Sequence, residues 1–427
     1  MNILFYRYGS ICEPDVIEGF LELGNSVSEI TAEITNKSLL PSETLHLVRE
    51  ELDKNPYDFV FSINFFPVLA DICNIYHIRY LCQTVDSPVM ELFSSSIEKE
   101  WNRIFLFDGA QYREFSSKNP EHIFHLPLAT NVARWDRVIS ATSHSKAQRF
   151  CHDISFVGSL YTEKSPYDRL KGASEYLKGY LSGIMDAQLK IYGASFLEEV
   201  LPDSIVAEFR EHLPGFYTPP ESFLRNDRAA MVRCYLEPKI SAMERVEILG
   251  RIGEQYPLDL YTGSDTKMFS KKNPDTGSDT KVFSEKNPDT GSDSKVFSKK
   301  SSDTKIRNRG LAKSLTEMPL IFHHSKINLN ITTKSIREGL PQRIFDVLGC
   351  GGFLITNYQA ELADCFTVGE DLEMYTSSEE LLDKIGYYLS HEKEREAIAR
   401  NGYEKVKRNH NYPVNLLRMM SLAYGVE

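Results

Sequence analysis

The chain has no Asp-x-Asp triplet, no Cys-x-x-Cys pair and no apolar run of bilayer length. The first absence disfavours catalysis in which neighbouring carboxylates hold a divalent ion against a diphosphate. The second, with seven cysteines scattered at 12, 73, 82, 151, 234, 350 and 365, disfavours a zinc knuckle or a disulfide framework. Reduced, buried thiols in a cytoplasmic protein are the expectation. The longest apolar neighbourhood, residues 59–70, is broken by Ser62, Asn64 and Pro67, whereas a transmembrane helix needs about 20 apolar residues. Residues 1–7 lack a basic lead-in and a small-residue cleavage site, so no signal peptide is expected. Positive charge is also short: 49 basic against 60 acidic side chains leave −11. That balance excludes a general affinity for nucleic acid or anionic membrane, though not a local basic pocket.

What is present reads as a globular protein. At 427 residues the prior is two to three domains. Residues 1–135 alternate strand-like and helix-like periods, with candidate strands at 2–8, 59–63, 78–82, 103–107 and 122–126. Near-continuous apolar strands between helices predict a parallel sheet covered on both faces. The rhythm resumes at 154–159, gives way to helical patterning over 167–254, and returns with strands at 258–261, 326–330 and 352–356. Ser377 and Glu380 form a capping box for a helix over 379–389. The expectation is α/β, with two Rossmann-like, doubly wound domains facing a cleft. Residues 1–135 would form the first domain and 150–404 the second, with a helix over 405–427 packing back on the first.

A repeat interrupts the second half. TGSDTKMFSKKNPD, TGSDTKVFSEKNPD and TGSDSKVFSKKSSD follow one another over residues 262–303, a period of 14. Each unit offers one apolar pair amid Gly, Ser, Asp, Lys and Pro, too little to offset the entropy of ordering. A surface elaboration is the favoured reading; three units also suffice for a short stacked array.

The stretch with the most chemistry is SIREGLPQRIFDVLGCGGFLIT, residues 335–356. Pro341 fits the first turn of a helix running through Leu348 and stopped at Gly349. The amino end of such a helix presents free N–H groups and partial positive charge, a site for a diphosphate. Arg343 adds a bidentate cation there. Asp346, one turn on, is placed to accept ribose hydroxyls, and Glu338, in the loop, to reach a sugar hydroxyl. From spacing alone Arg343 and Asp346 equally fit a solvated i, i+3 ion pair.

Residues 317–412 resemble the donor-binding half of GT-B glycosyltransferases, in particular the CgeB-like family. The resemblance is carried by Met318-Pro319-Leu320-Ile321-Phe322, Lys326-Ile327-Asn328-Leu329-Asn330, Gly339-Leu340-Pro341-Gln342-Arg343-Ile344-Phe345-Asp346 and Gly351-Gly352-Phe353-Leu354-Ile355-Thr356-Asn357, with Ile398-Ala399-Arg400-Asn401-Gly402-Tyr403 resembling the closing helix. It extends more weakly through Phe156-Val157-Gly158-Ser159 and Leu258-Asp259-Leu260-Tyr261-Thr262. It implies a retaining, metal-independent transferase acting on a nucleotide-diphosphate sugar, a UDP-sugar by preference. The family's Glu-x7-Glu motif falls on Glu338 and Asp346, the second one methylene shorter than in the family. Donor contacts are then expected for Gly158, Ser159, Tyr261, Thr262, Asn330, Gly339, Leu340, Pro341, Gln342, Arg343 and Asp346, with the base pocket implied at Tyr261-Thr262, and Arg169 follows the Gly158-Ser159 loop as a lone cation within reach of the diphosphate. Lys164 is a further candidate cation for the diphosphate. The nucleotide sugar enters as co-substrate, and neither cofactor nor metal is implied.

The first domain should hold the acceptor, a protein or a glycan. Asp86 ends a predicted strand in the crevice where open α/β sheets bind ligands. It is a candidate catalytic carboxylate with Glu338, or else caps a turn before Ser87-Pro88. Gly9 follows the first strand on the acceptor side, where bulk is unwelcome. A nucleotide-sugar epimerase, or a non-catalytic nucleotide-sugar-binding or assembly protein, remains the alternative on the same scaffold.

Overall fold

The computed structural model describes residues 1–163, 165–216, 227–270 and 304–425. Two parallel six-stranded sheets dominate it. The first comprises β1 (Asn2–Tyr6), β2 (Ser26–Ile30), β3 (Phe59–Ile63), β4 (Arg79–Gln83), β5 (Asn102–Leu106) and β6 (Ile123–His125), in the order β2-β1-β3-β4-β5-β6. The second comprises β7 (Ile154–Val157), β8 (Leu258–Tyr261), β9 (Ile306–Asn308), β10 (Ile327–Asn330), β11 (Leu354–Asn357) and β12 (Glu373–Tyr375), in the order β12-β11-β10-β7-β8-β9. All neighbouring strands run parallel, as the apolar runs require. Each sheet has a switch point where successive connections leave in opposite directions: between β1 and β3 in the first, between β7 and β10 in the second. Crevices at such points are where doubly wound sheets bind ligands.

Nine strands lie where the apolar runs predict them. β2, β9 and β12 were not read from the sequence. Each is at or next to a sheet edge and is short or solvated: β2 has one buried residue and β9 none. A strand with a wet face needs no apolar run, so periodicity is silent there.

The lobes are joined by two crossings. Thr130 N–H donates to His410 C=O (2.9 Å), and Tyr412 N–H to Thr130 C=O (3.2 Å). The second crossing delivers helix Tyr412–Tyr424 onto the first sheet's helix Glu13–Glu22. A Cβ at Gly19 would stand 2.9 Å from Leu416 and 3.0 Å from Tyr412, so glycine eases this close approach. Leu416, Met419 and Ala423 complete the core around Ile3, Phe5 and Phe61.

The helical segment has its own core, including Leu177, Leu181, Phe209 and Leu236. It also reaches the first lobe: Ala229 and Ala230 join the cluster containing Phe93 and Phe115, and Arg233 makes two hydrogen bonds of 2.9 Å to Glu114. In the first repeat, Met268 and Phe269 pack against the second lobe's core. The remaining repeat residues, 271–303, and Lys164 lie outside the described residues.

Candidate active site

The loops that follow β7 and β10 open into a cavity of about 430 Å³ between the lobes. Gly158, Ser159 and Tyr161 line it from the first of these loops, Asn330 to Thr333 from the second. Pro341, Gln342 and Arg343 bring the helix Gln342–Gly349 to its wall, and Asp86, Ser87 and Pro88 close it from the first sheet. Pro341 caps this helix in an extended conformation instead of entering its first turn. The first helical bond runs from Ile344 N–H to Pro341 C=O (3.0 Å), so the preceding amides are spare donors at the cavity wall.

Asp86, Gly158, Ser159, Asn330, Pro341, Gln342 and Arg343 thus meet where the sequence places them. Asn330 is held by its neighbours, its amide donating to Thr332 and Thr356 at 2.9 Å each. Arg343 lies over the Phe322 ring at 4.9 Å, with Asp346 at 3.9 Å, so a fork onto the carboxylate is absent. Burial lowers its pKa and Asp346 opposes that shift.

The other expected residues lie elsewhere. Asp346 faces the lobe crossing: its Oδ1 accepts from Thr130 Oγ1 (2.7 Å) and Gln342 Nε2 (3.0 Å), leaving it among the residues that hold the crossing, not on the cavity. Glu338 also stands outside, paired with Arg113 of the first lobe. Gly339 beside it packs so closely on Phe107 and Asp108 that a Cβ would meet both at 2.8 Å. Leu340 is core. Tyr261 turns its hydroxyl to His152 (2.8 Å), and buried Thr262 caps a turn at Ser264 N–H (3.1 Å), so neither lines the cavity. Arg169 is exposed on a turn away from it. Gly9, at φ +95°, sits in the β1 loop with its amide on Glu13 (3.0 Å), likewise outside the cavity.

Further contributors carry no local signature in the sequence. Arg245, from helix Glu237–Gln255, donates to Ser159 C=O (2.5 Å) and Ile331 C=O (2.7 Å), tying the two switch-point loops together. Its Nε is buried without a hydrogen-bond partner, and Tyr161 lies under the guanidinium at 4.5 Å. Burial pulls its pKa down, with Tyr161 and Glu244 opposing. Tyr161 is itself left-handed, φ +62°, a conformation a bulky side chain adopts only under constraint. Asn64, after β3, donates to Asp86 Oδ2 (2.7 Å), which replaces the turn cap foreseen for Asp86. Ser87 and Ser335 exchange hydroxyl-to-carbonyl bonds of 2.6 and 2.5 Å across the cleft. Among the described residues no group of three or more His, Cys, Asp and Glu is gathered to hold a metal.

Glu237 begins the helix that carries Arg245. It is 2% exposed, its Oε1 lacks a hydrogen bond, and Arg337 stands 3.6 Å away. Burial raises its pKa to about 7, with Arg337 and Arg233 opposing. The unfolded chain therefore releases this proton at lower pH than the folded one, so stability declines as pH rises from about 4.5 to about 7. Glu237→Gln should gain on the wild type across that window, read as urea midpoints at pH 5 and pH 8. Equal differences at both pH values would contradict the assignment.

Comparison with known proteins bears on the fold. Residues 285–421 match the family described as glycosyl transferase-like. The fold is that of GT-B glycosyltransferases. Sucrose-phosphate synthase from Thermosynechococcus elongatus aligns over 100% of this chain and 99% of its own at 10% identity, TM-score 0.55. The UDP-forming α,α-trehalose-phosphate synthase from Burkholderia xenovorans aligns over 100% and 99% at 10% identity, TM-score 0.51. HepE from Anabaena, solved with UDP and glucose, aligns over 99% and 100% at 11% identity, TM-score 0.50. No curated protein matches the sequence. Residues 285–421 are thus similar to the glycosyl transferase-like family, and the fold is GT-B. No helix among the described residues is long and apolar enough to cross a membrane.

Proposed function

We propose that the protein transfers a glycosyl group from a nucleoside-diphosphate sugar to an acceptor hydroxyl presented by the first lobe. The observation that carries this reading is the cavity itself: amide end, Arg343 and Arg245 on one wall, a carboxylate from the opposite sheet on the other. A UDP-sugar is the favoured donor, on the likeness to HepE, which was solved with UDP and glucose. The CgeB-like motifs support a place in that branch. The acceptor is a protein or a glycan.

Chemically, the bond between anomeric carbon and diphosphate oxygen breaks with its electron pair leaving on the nucleotide. Fixed donors aimed at that charge are the economical catalyst. Gln342 and Arg343 amides and the two guanidinium groups supply them, and no resident divalent ion is needed. Retention rests on the resemblance alone, since neither Glu338 nor Asp346 lines the cavity. A second course is favoured by Asp86, the one carboxylate among the described residues lining the cavity: as base it would take the acceptor proton in a single displacement with inversion. The anomeric configuration of the first-formed product separates the two.

Thermal shift with UDP, GDP and dTDP, followed by release of UDP from UDP-glucose, tests the reading. Stabilisation by UDP, and turnover undiminished by EDTA, are expected. No stabilisation by any of the three would end it. Sugar isomerised without acceptor would instead indicate an epimerase, and binding without turnover a carrier or assembly role.

A further inference from the structure

We propose that Asn64 is a positioning residue that fixes Asp86 as the proton acceptor of the transfer; this rests on the reading above. Asn64 follows β3 and Tyr8 follows β1, so both stand at the switch point of the first sheet, opposite that of the second. Asn64 holds φ +59°, in the left-handed region that costs most residues free energy and that Asn tolerates best after Gly.

Every polar atom of its side chain is engaged. Nδ2 donates to Asp86 Oδ2 (2.7 Å) and to Tyr8 Oη (2.9 Å). Oδ1 accepts from the backbone of Val85 (3.0 Å) and Asp86 (3.4 Å). The backbone is equally committed: Asn64 N–H donates to Gln83 C=O (2.8 Å), and its carbonyl accepts from Ser62 Oγ (2.7 Å). One amide thereby holds both the main chain and one carboxylate oxygen of Asp86. The other oxygen, at an exposed position on the cavity rim, is left for substrate.

In the step proposed, the nucleophile's oxygen bonds the anomeric carbon, the diphosphate departs with the electron pair of the broken bond, and the nucleophile's proton passes to Asp86. A carboxylate that swings freely performs this poorly, because small misplacements of a reacting group are expensive in rate.

Asn64→Gly separates the roles, since glycine accepts the backbone conformation and deletes only the amide. With UDP-glucose as donor and water as nucleophile, Asn64→Gly should lower kcat about tenfold and Asp86→Asn about a hundredfold. KM for UDP-glucose should stay near wild type in both; the melting temperature should hold in Asp86→Asn and fall modestly in Asn64→Gly with the lost main-chain bonds. The double variant should fall no further than Asp86→Asn, because Asn64 acts through that residue. Unchanged kcat in Asn64→Gly, additive losses in the double variant, or a KM that rises in step with the loss of kcat would overturn the proposal. A wild type that binds UDP-glucose but never releases UDP removes the transferase reading, and this role with it.

Discussion

Arg245→Ala should reduce donor turnover by about two to three orders of magnitude, the scale seen when a preorganised donor to developing charge is removed. Two losses act together. The guanidinium no longer faces the cavity, and the carbonyls of Ser159 and Ile331 lose their shared partner, so the loops after β7 and β10 are no longer held at a fixed separation. Arg245→Lys should recover little of this. An ammonium is a point charge and cannot span two carbonyls as the planar fork does. The measurement is UDP release from UDP-glucose beside UDP affinity by calorimetry. Full turnover in Arg245→Lys would show that charge alone suffices and that the loop-tying geometry is incidental.

Asp346→Ala should have the largest effect on stability, about 3–5 kcal/mol, the usual result of removing one partner of a buried charged pair. Its carboxylate is buried, and it serves Thr130 on the lobe crossing, Gln342 on its own helix and, more loosely, Arg343. Thr130 in turn accepts from Trp135 Nε1 (2.8 Å), so the loss spreads into the hinge. Asp346→Asn retains an acceptor oxygen for Thr130 and should cost clearly less in a urea titration. A ribose-binding role alone would leave stability untouched in both variants and show only as weakened UDP affinity.

The two lobes were legible because buried parallel strands must be apolar throughout. Phe59–Ile63 and Leu258–Tyr261 were read to the residue for that reason. The capping box was legible too: Ser377 Oγ accepts from Glu380 N–H (3.1 Å), although the Glu380 carboxylate reaches back to Thr376 N–H (2.8 Å). Asp86, Gly158 and Arg343 were reachable because strand ends and helix starts are local features that open on a crevice. Arg245 was not, since its partners lie 86 residues away on either side and a lone arginine in an amphipathic helix has no local mark. Tyr261 was assigned to the nucleotide by the resemblance and Asp346 by spacing as well, and neither records which neighbour captures a side chain first. His152 takes one and Thr130 the other.

By itself the chain of letters determined the kind of layers, their number to within the edge strands, and the helix whose amide end meets the cleft, because burial and capping act over a few residues. Tertiary structure alone decided which polar groups face that cleft and which are spent on joining the lobes. That choice is made by side chains meeting across hundreds of residues of sequence, as Ser87 meets Ser335 and Arg113 meets Glu338, and no local period records it.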